Sequence, residues 1–300
     1  MIEIKNLTKT YGSIKSVDSL SASIKEGSIF GLVGSNGSGK STLLRMMAGI
    51  LAPDEGIINA DGAPVWENPE AKGRIFYLSD DHYFIQHSTI RENAAFLSSV
   101  YPRFDRKKAE ELAGKFGLSP TRKINTFSKG MQKQASVILA LAAHPDYLLC
   151  DETFDGLDPV VRQLVKGLIA AEVAERGMTV ILASHNLREL EDICDRLALL
   201  HKGELLFESE IDTLKDNVRT VQAMFRTEMP QKLECEGLRF GEPAIRGSML
   251  NCVVSGEEGL CREYFESLGA EFYEFIPLTL EEIFITEMEE RGYDANHLIG

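Results

Sequence analysis

The chain has 300 residues, 44% of them hydrophobic, enough to build one large core and a smaller domain beside it. The N-terminal MIEIKNLTKTYG has no apolar signal segment, and the longest apolar run, around Val137 to Ala143, is far short of the roughly 20 residues a membrane span needs. A soluble protein is expected. The net charge of −14 is uneven: Met1 to Leu200 holds 25 acidic and 23 basic residues, His201 to Gly300 holds 21 and 9. An acidic last third is poorly suited to nucleic acid or an anionic lipid surface, since both would repel it. Five cysteines, Cys150, Cys194, Cys235, Cys252 and Cys261, show no metal-ligand spacing, and their odd number suits a reducing cytoplasm.

In chain order, Met1 to Glu26 alternates apolar and polar residues and predicts half-buried strands, with Tyr11 in a turn before Gly12. Ile29 to Val33 predicts a buried strand. It runs into Gly34-Ser35-Asn36-Gly37-Ser38-Gly39-Lys40-Ser41-Thr42 and then an amphipathic helix. The spacing Gly34-x4-Gly39-Lys40-Ser41 is a phosphate-binding loop. Glycines let backbone N–H groups converge on one anion, and the helix adds its positive end. Lys40 is placed to reach the β- and γ-phosphates, and the Ser41 hydroxyl to ligate Mg²⁺.

Asp61-Gly62 inside Ile57 to Val65 predicts a hairpin, making an antiparallel sheet beside that helix. Ile75 to Leu78 is a short strand ending at Ser79-Asp80-Asp81. From Ser88 to about Ala143 the period is helical, with a capping box at Thr89-x-x-Glu92 and a helix over Arg103 to Phe116. Tyr147 to Cys150 and Met178 to Ala183 predict two more buried strands, delivering Asp151-Glu152 and Ser184-His185 to one sheet edge, where such folds bind ligands. A helix is expected over Val160 to Arg176, and a second capping box at Asn186-x-x-Glu189 opening a helix to Cys194. After about Ile211 the pattern predicts a small α+β domain. Its helices carry the stripes Leu260, Tyr264, Leu268 and Leu280, Ile283, Phe284, Met288.

The order of these parts resembles an ABC ATPase domain over about residues 1–211: phosphate loop, a helical insertion at about 84–143, Ser128-Lys129-Gly130-Met131, Asp151-Glu152, Asp158, His185. The expected fold is α/β, a P-loop core with a mixed sheet, an antiparallel β subdomain and a helical insertion. A small acidic α+β domain would follow over 212–300. The resemblance implies that Tyr11 stacks on adenine, Gly34 to Thr42 hold the phosphates, and Ser41 and Asp151 hold Mg²⁺. It further implies that Glu152 activates the attacking water and that His185 senses the γ-phosphate. Ser128, Lys129, Gly130 and Met131 would face the ATP of a second subunit, and Asp158 would cross to that subunit. Phe127-Ser128-Lys129-Gly130-Met131 departs from the usual Leu-Ser-Gly-Gly-Gln. Asp80 stands where the family usually has a glutamine, which makes it a candidate metal neighbour.

The signature and the C-terminal domain are similar to bacterial ABC-2 type export ATPases of the drug and peptide group. The implied partners are a permease on a separate chain and a second ATPase subunit, identical or homologous. The implied place is the cytoplasmic face of the membrane. A chromosome or repair ATPase would insert a long coiled coil between the half-sites, yet only 111 positions separate Lys40 from Asp151. A tandem translation factor would need a second phosphate loop. A small-molecule kinase would not need Ser128-x-Gly130 or His185. A regulatory ATPase with slow or no hydrolysis is the alternative left standing.

Overall fold

The computed structural model describes residues 1–226, 230 and 232–290, and divides into two compact units, Met1–Glu208 and Ser209 onward. The first unit begins with β1 (Ile2–Tyr11), β2 (Ile14–Ile24), β3 (Ile29–Val33), α1 (Lys40–Met47), β4 (Glu55–Ala60), β5 (Ala63–Pro64), α2 (Pro69–Lys72) and β6 (Ile75–Leu78). The helical stretch follows as α3 (Ile90–Val100), α4 (Arg106–Lys115) and α5 (Lys129–Ala142). Then come β7 (Tyr147–Asp151), α6 (Pro159–Arg176), β8 (Thr179–Ser184), α7 (Leu187–Glu191), β9 (Arg196–His201) and β10 (Glu204–Glu210).

Two sheets form. β2-β1-β4-β5 is antiparallel, and β10-β9-β3-β8-β7-β6 has parallel pairing from β9 through β6. Every residue of β3, β7 and β8 is buried, as continuous apolar strands covered on both faces must be. The core explains why. Leu43, Leu44, Met46 and Met47 of α1 pack with Ile2, Ile4, Leu7 and Leu20 of the antiparallel sheet and with Leu32, Ile181 and Leu200 of the parallel one. Each such side chain contributes roughly 1.5–3 kcal/mol by leaving water. The helix that opens at the phosphate loop is thereby fixed in position by two sheets.

Local capping sets several boundaries. Thr89 and Glu92 form the expected capping box of α3. The helix expected from Arg103 starts at Arg106, because the Asp105 carboxylate accepts from the N–H groups of Lys107 and Lys108. The capping box expected at Asn186 does not form. Asn186 caps α7 alone, and Glu189 turns inward, where it accepts from Ser184 Oγ at 3.1 Å and lies 3.5 Å from Arg162. Burial pushes the Glu189 carboxyl up despite the arginine. The helix also stops at Glu191, short of Cys194.

The second unit contains α8 (Ile211–Asn217), β11 (Val218–Met224), β12 (Arg239–Phe240), β13 (Ala244–Arg246), β14 (Met249–Ser255), α9 (Glu258–Ser267), β15 (Phe272–Pro277) and α10 (Leu280–Glu290). Its antiparallel sheet, ordered β12-β14-β11-β15, has a core of its own around Val221, Leu250, Val254, Cys261 and Phe265. The buried stripe of α9 is Cys261 and Phe265, and the expected Leu260, Tyr264 and Leu268 flank it half-buried. On α10, Leu280, Ile283 and Phe284 are buried, whereas the Met288 side chain lies outside the described residues. All five cysteines are free thiols.

Candidate nucleotide site

Three parallel neighbours bring the site together. β3 pairs with β8 so that Val33 lies opposite Ser184, and β8 pairs with β7 so that Ala183 lies opposite Asp151. Residues at the ends of all three strands meet at one edge: the phosphate loop, Asp151-Glu152 and His185.

The loop turns where only glycine fits. A Cβ at Gly34 would fall 2.3 Å from the Leu200 carbonyl oxygen, and one at Gly39, which has φ +109°, 2.1 Å from that of Ser16. Asn36 and Gly37 are exposed at the crown, Ser35 is half-buried, and Ser38 is buried with its Oγ unpartnered. No side chain caps α1, although side chains cap α3, α4, α5 and α6. An orphaned hydroxyl, an uncapped helix N-terminus and a glycine loop packed closely on neighbouring backbone fit a phosphate group. Lys40 is buried, and its ammonium donates to the Gly34 carbonyl at 2.6 Å and to that of Ser35 at 3.3 Å. The Thr42 hydroxyl accepts from Ser16 Oγ at 2.9 Å.

Ser41 Oγ donates to Asp151 Oδ1 at 2.9 Å, a pair of hard oxygens suited to Mg²⁺. The other Asp151 oxygen, Oδ2, accepts from the Tyr77 hydroxyl at 2.8 Å. Tyr77 was not among the residues expected here. Burial, with the Asp151 charge beside it, pushes its phenol up to about 12, so it remains a donor throughout the working pH range. Its place in the apolar run Ile75 to Leu78, one residue from the strand end, is the only signal the sequence carries for it. In the Tyr77→Phe protein Asp151 loses that donor, and one missing hydrogen bond to a charged group is worth about 1.5–3 kcal/mol. We expect a roughly tenfold weaker Mg²⁺ affinity; an unchanged magnesium titration would show that Tyr77 does not orient the carboxylate.

Glu152 has a left-handed backbone, φ +47°, which costs a non-glycine residue roughly 1–2 kcal/mol. In this conformation its N–H donates to the Ala183 carbonyl at 3.0 Å. Its Oε2 lies 3.0 Å from His185 Nδ1 and its Oε1 3.5 Å from Lys40 Nζ. Asp155 Oδ2 lies 3.9 Å from the same imidazole nitrogen. Glu152, Lys40 and His185 are thus brought together as expected.

Other expected residues sit elsewhere. Ser128 caps α5, accepting from the Met131 N–H at 3.2 Å, and Ser128 and Lys129 are exposed, with Gly130 and Met131 half-buried. Asp158 Oδ1 accepts from the N–H groups of Val160 and Val161 and caps α6. Tyr11 ends β1 half-exposed, with Lys9 Nζ 5.9 Å from its ring centre. The Asp80 carboxylate is 63% exposed and pairs with Lys133 Nζ at 3.5 Å, while the hydrogen bonds of Asp151 go to Ser41 and Tyr77.

The ABC transporter family model matches residues 17–155. The ABC transporter ATP-binding protein YtrB of Bacillus subtilis is 31% identical, over 96% of this chain and 98% of its own length. The chain belongs to the ABC transporter ATP-binding proteins. The bacitracin transport ATP-binding protein BcrA of Bacillus licheniformis is 34% identical over 73% of this chain and 72% of its own. Among solved structures, the post-hydrolysis dimer of the ATP-binding cassette MJ0796 with ADP and phosphate superposes with a TM-score of 0.65. It is 27% identical and covers 70% of this chain and 99% of that one. The chain is therefore an ABC ATPase, which binds and hydrolyses ATP. No helix among the described residues is long and apolar enough to cross a membrane.

Proposed function

We propose that two copies of this ATPase, or one copy and a homologue, close head to tail over two ATP molecules and so drive a separate permease that exports amphipathic peptides or drugs. Tyr11 stacks on adenine, Gly34 to Thr42 hold the phosphates, and Ser41 and Asp151 hold Mg²⁺, which neutralises charge on the phosphates when bound. Glu152 takes the proton of the attacking water as the bond from the β-phosphate oxygen to the γ-phosphorus breaks and ADP leaves. His185 contacts the γ-phosphate. Across the dimer, the α5 N-terminus with Ser128, Lys129, Gly130 and Met131 meets the other subunit's ATP, and Asp158 meets its neighbouring loop. The acidic C-terminal unit serves assembly and not the chemistry, since its sequence supplies no residue that matches the ATP-site motifs.

One observation carries the permease reading. A groove of about 1010 Å³ runs beside α3 and β6, walled by aromatic side chains including Phe76, Phe84 and Tyr101. At its rim Tyr83 is 84% and Phe96 54% exposed, a costly arrangement unless another apolar surface covers them. Tyr77, which holds Asp151, and Arg45 of α1 line the same groove, so an inserted permease helix would touch the site's own support. The similarity to BcrA, a bacitracin transport ATP-binding protein, supports a peptide cargo. Co-expressed with its permease in inside-out vesicles, the protein is expected to drive ATP-dependent uptake of a labelled amphipathic peptide. Tyr83→Asp and Phe96→Asp together should abolish uptake while the isolated ATPase keeps its rate within about twofold, as surface changes do. Uptake only in right-side-out vesicles would reverse the direction, and undiminished transport by the double variant would remove the groove from the interface.

A further inference from the structure

The helix that opens at Ser128 carries one buried cation, Lys133, about a turn further in. Its ammonium has three N–H donors, and three acceptors face it: the Glu152 carbonyl at 2.7 Å, the Asp155 carbonyl at 2.9 Å and the Asp80 carboxylate at 3.5 Å. The Asp155 N–H also donates to the Glu152 carbonyl at 3.3 Å, closing a turn over residues 152–155. Lys133 therefore grips both ends of the turn that presents Glu152 and Asp155 to His185. It does so through the main chain, leaving the Glu152 carboxylate to Lys40 and His185. The gripped residue is the one held at φ +47°, a conformation that persists only where its surroundings over-determine it.

We propose that Lys133 is a positioning residue for hydrolysis, holding the Glu152 backbone in the conformation that aims its carboxylate, and that Asp80 acts on the site through this lysine and not through the metal. The proposal rests on Glu152 being the hydrolytic base. Two consequences follow from the geometry. A displacement of α5, whose first turn is proposed to meet the partner's ATP, moves the ammonium relative to the Glu152 carbonyl. Asp80 lies just past β6, between the groove-lining Ser79 and Asp81, so a contact made in the groove reaches Glu152 through a single ion pair.

The test uses the full chain and steady-state ATP hydrolysis. Lys133→Met, which keeps length and loses all three donors, should lower kcat by about 10–100-fold, the size expected when a reacting group is misplaced by about an ångström. ATP affinity, read by a fluorescent ATP analogue, should stay within about twofold. Lys133→Gln, which retains two donors, should recover part of the rate. It carries the test if the methionine protein does not fold. Asp80→Asn should lower kcat by about fivefold at most, as loss of an exposed ion pair allows, with the Mg²⁺ concentration for half-maximal rate unchanged. In a Glu152→Gln background, adding Lys133→Met should change the residual rate less than twofold, because the two act as one unit. Three results would each overturn the proposal: a parental kcat in Lys133→Met, the same 10–100-fold drop in the Glu152→Gln background, or loss of ATP binding in step with kcat. A shifted Mg²⁺ requirement in Asp80→Asn would return Asp80 to the metal. A parental rate in Glu152→Gln alone would defeat the assignment of the base, and is distinguishable from all of these.

Discussion

The Glu152→Gln protein is expected to bind ATP more tightly than the parent does, to lose at least about 100-fold in turnover, and to elute as an ATP-stabilised dimer on size exclusion. The amide preserves the shape of the side chain and its reach to the His185 imidazole at 3.0 Å, but it accepts no proton from water. It also removes the negative charge 3.5 Å from Lys40, which frees that ammonium for the phosphates and favours the bound state. Tighter ATP binding with stalled hydrolysis is the combined signature. Parental turnover would mean that a different group activates the water.

Lys40→Ala acts on the opposite side of the same pair. Loss of one preorganised phosphate donor costs on the order of 3 kcal/mol in the transition state, or about two decades in kcat/KM. Because Lys40 meets the phosphates in the ground state as well, ATP affinity should fall together with the rate, unlike the split expected of Glu152→Gln. The alanine also leaves the Gly34 carbonyl without its 2.6 Å donor, so thermal melting is the control for loop collapse. Full ATP affinity and rate in a protein that melts like the parent would remove the loop from nucleotide binding.

The legible part of this molecule is the part written in short range. The apolar runs of β3, β7 and β8 and the Thr89 capping box are each set within about ten residues, and each forms as expected. What escaped depends on partners distant in sequence. Glu189 looks like half of a capping box, but the Ser184 hydroxyl and Arg162 draw it inward. Tyr77 reads as one more apolar residue until β7 is laid beside β6 and Asp151 arrives at its hydroxyl. Lys133 is one of two lysines in its helix, and only the fold reveals that it serves carbonyls 19 and 22 positions away. Asp80 stands out in the sequence by its charge near the site, and only the fold reveals the Lys133 ammonium 3.5 Å from it.

The pairing of β3 with β8 also bears on how the protein is made. Val33 finds Ser184 only 151 positions later, and Phe30 to Val33 meet β9 later still. During synthesis the phosphate loop leaves the ribosome long before either flanking strand exists, so β3 waits with both hydrogen-bonding edges open. The antiparallel hairpin of β1 and β2 can form at once, since Tyr11 and Ile14 are adjacent in register. Nucleotide binding must then arise abruptly, near the point where β8 emerges, and before that point the nascent chain presents an open apolar strand for chaperones to cover.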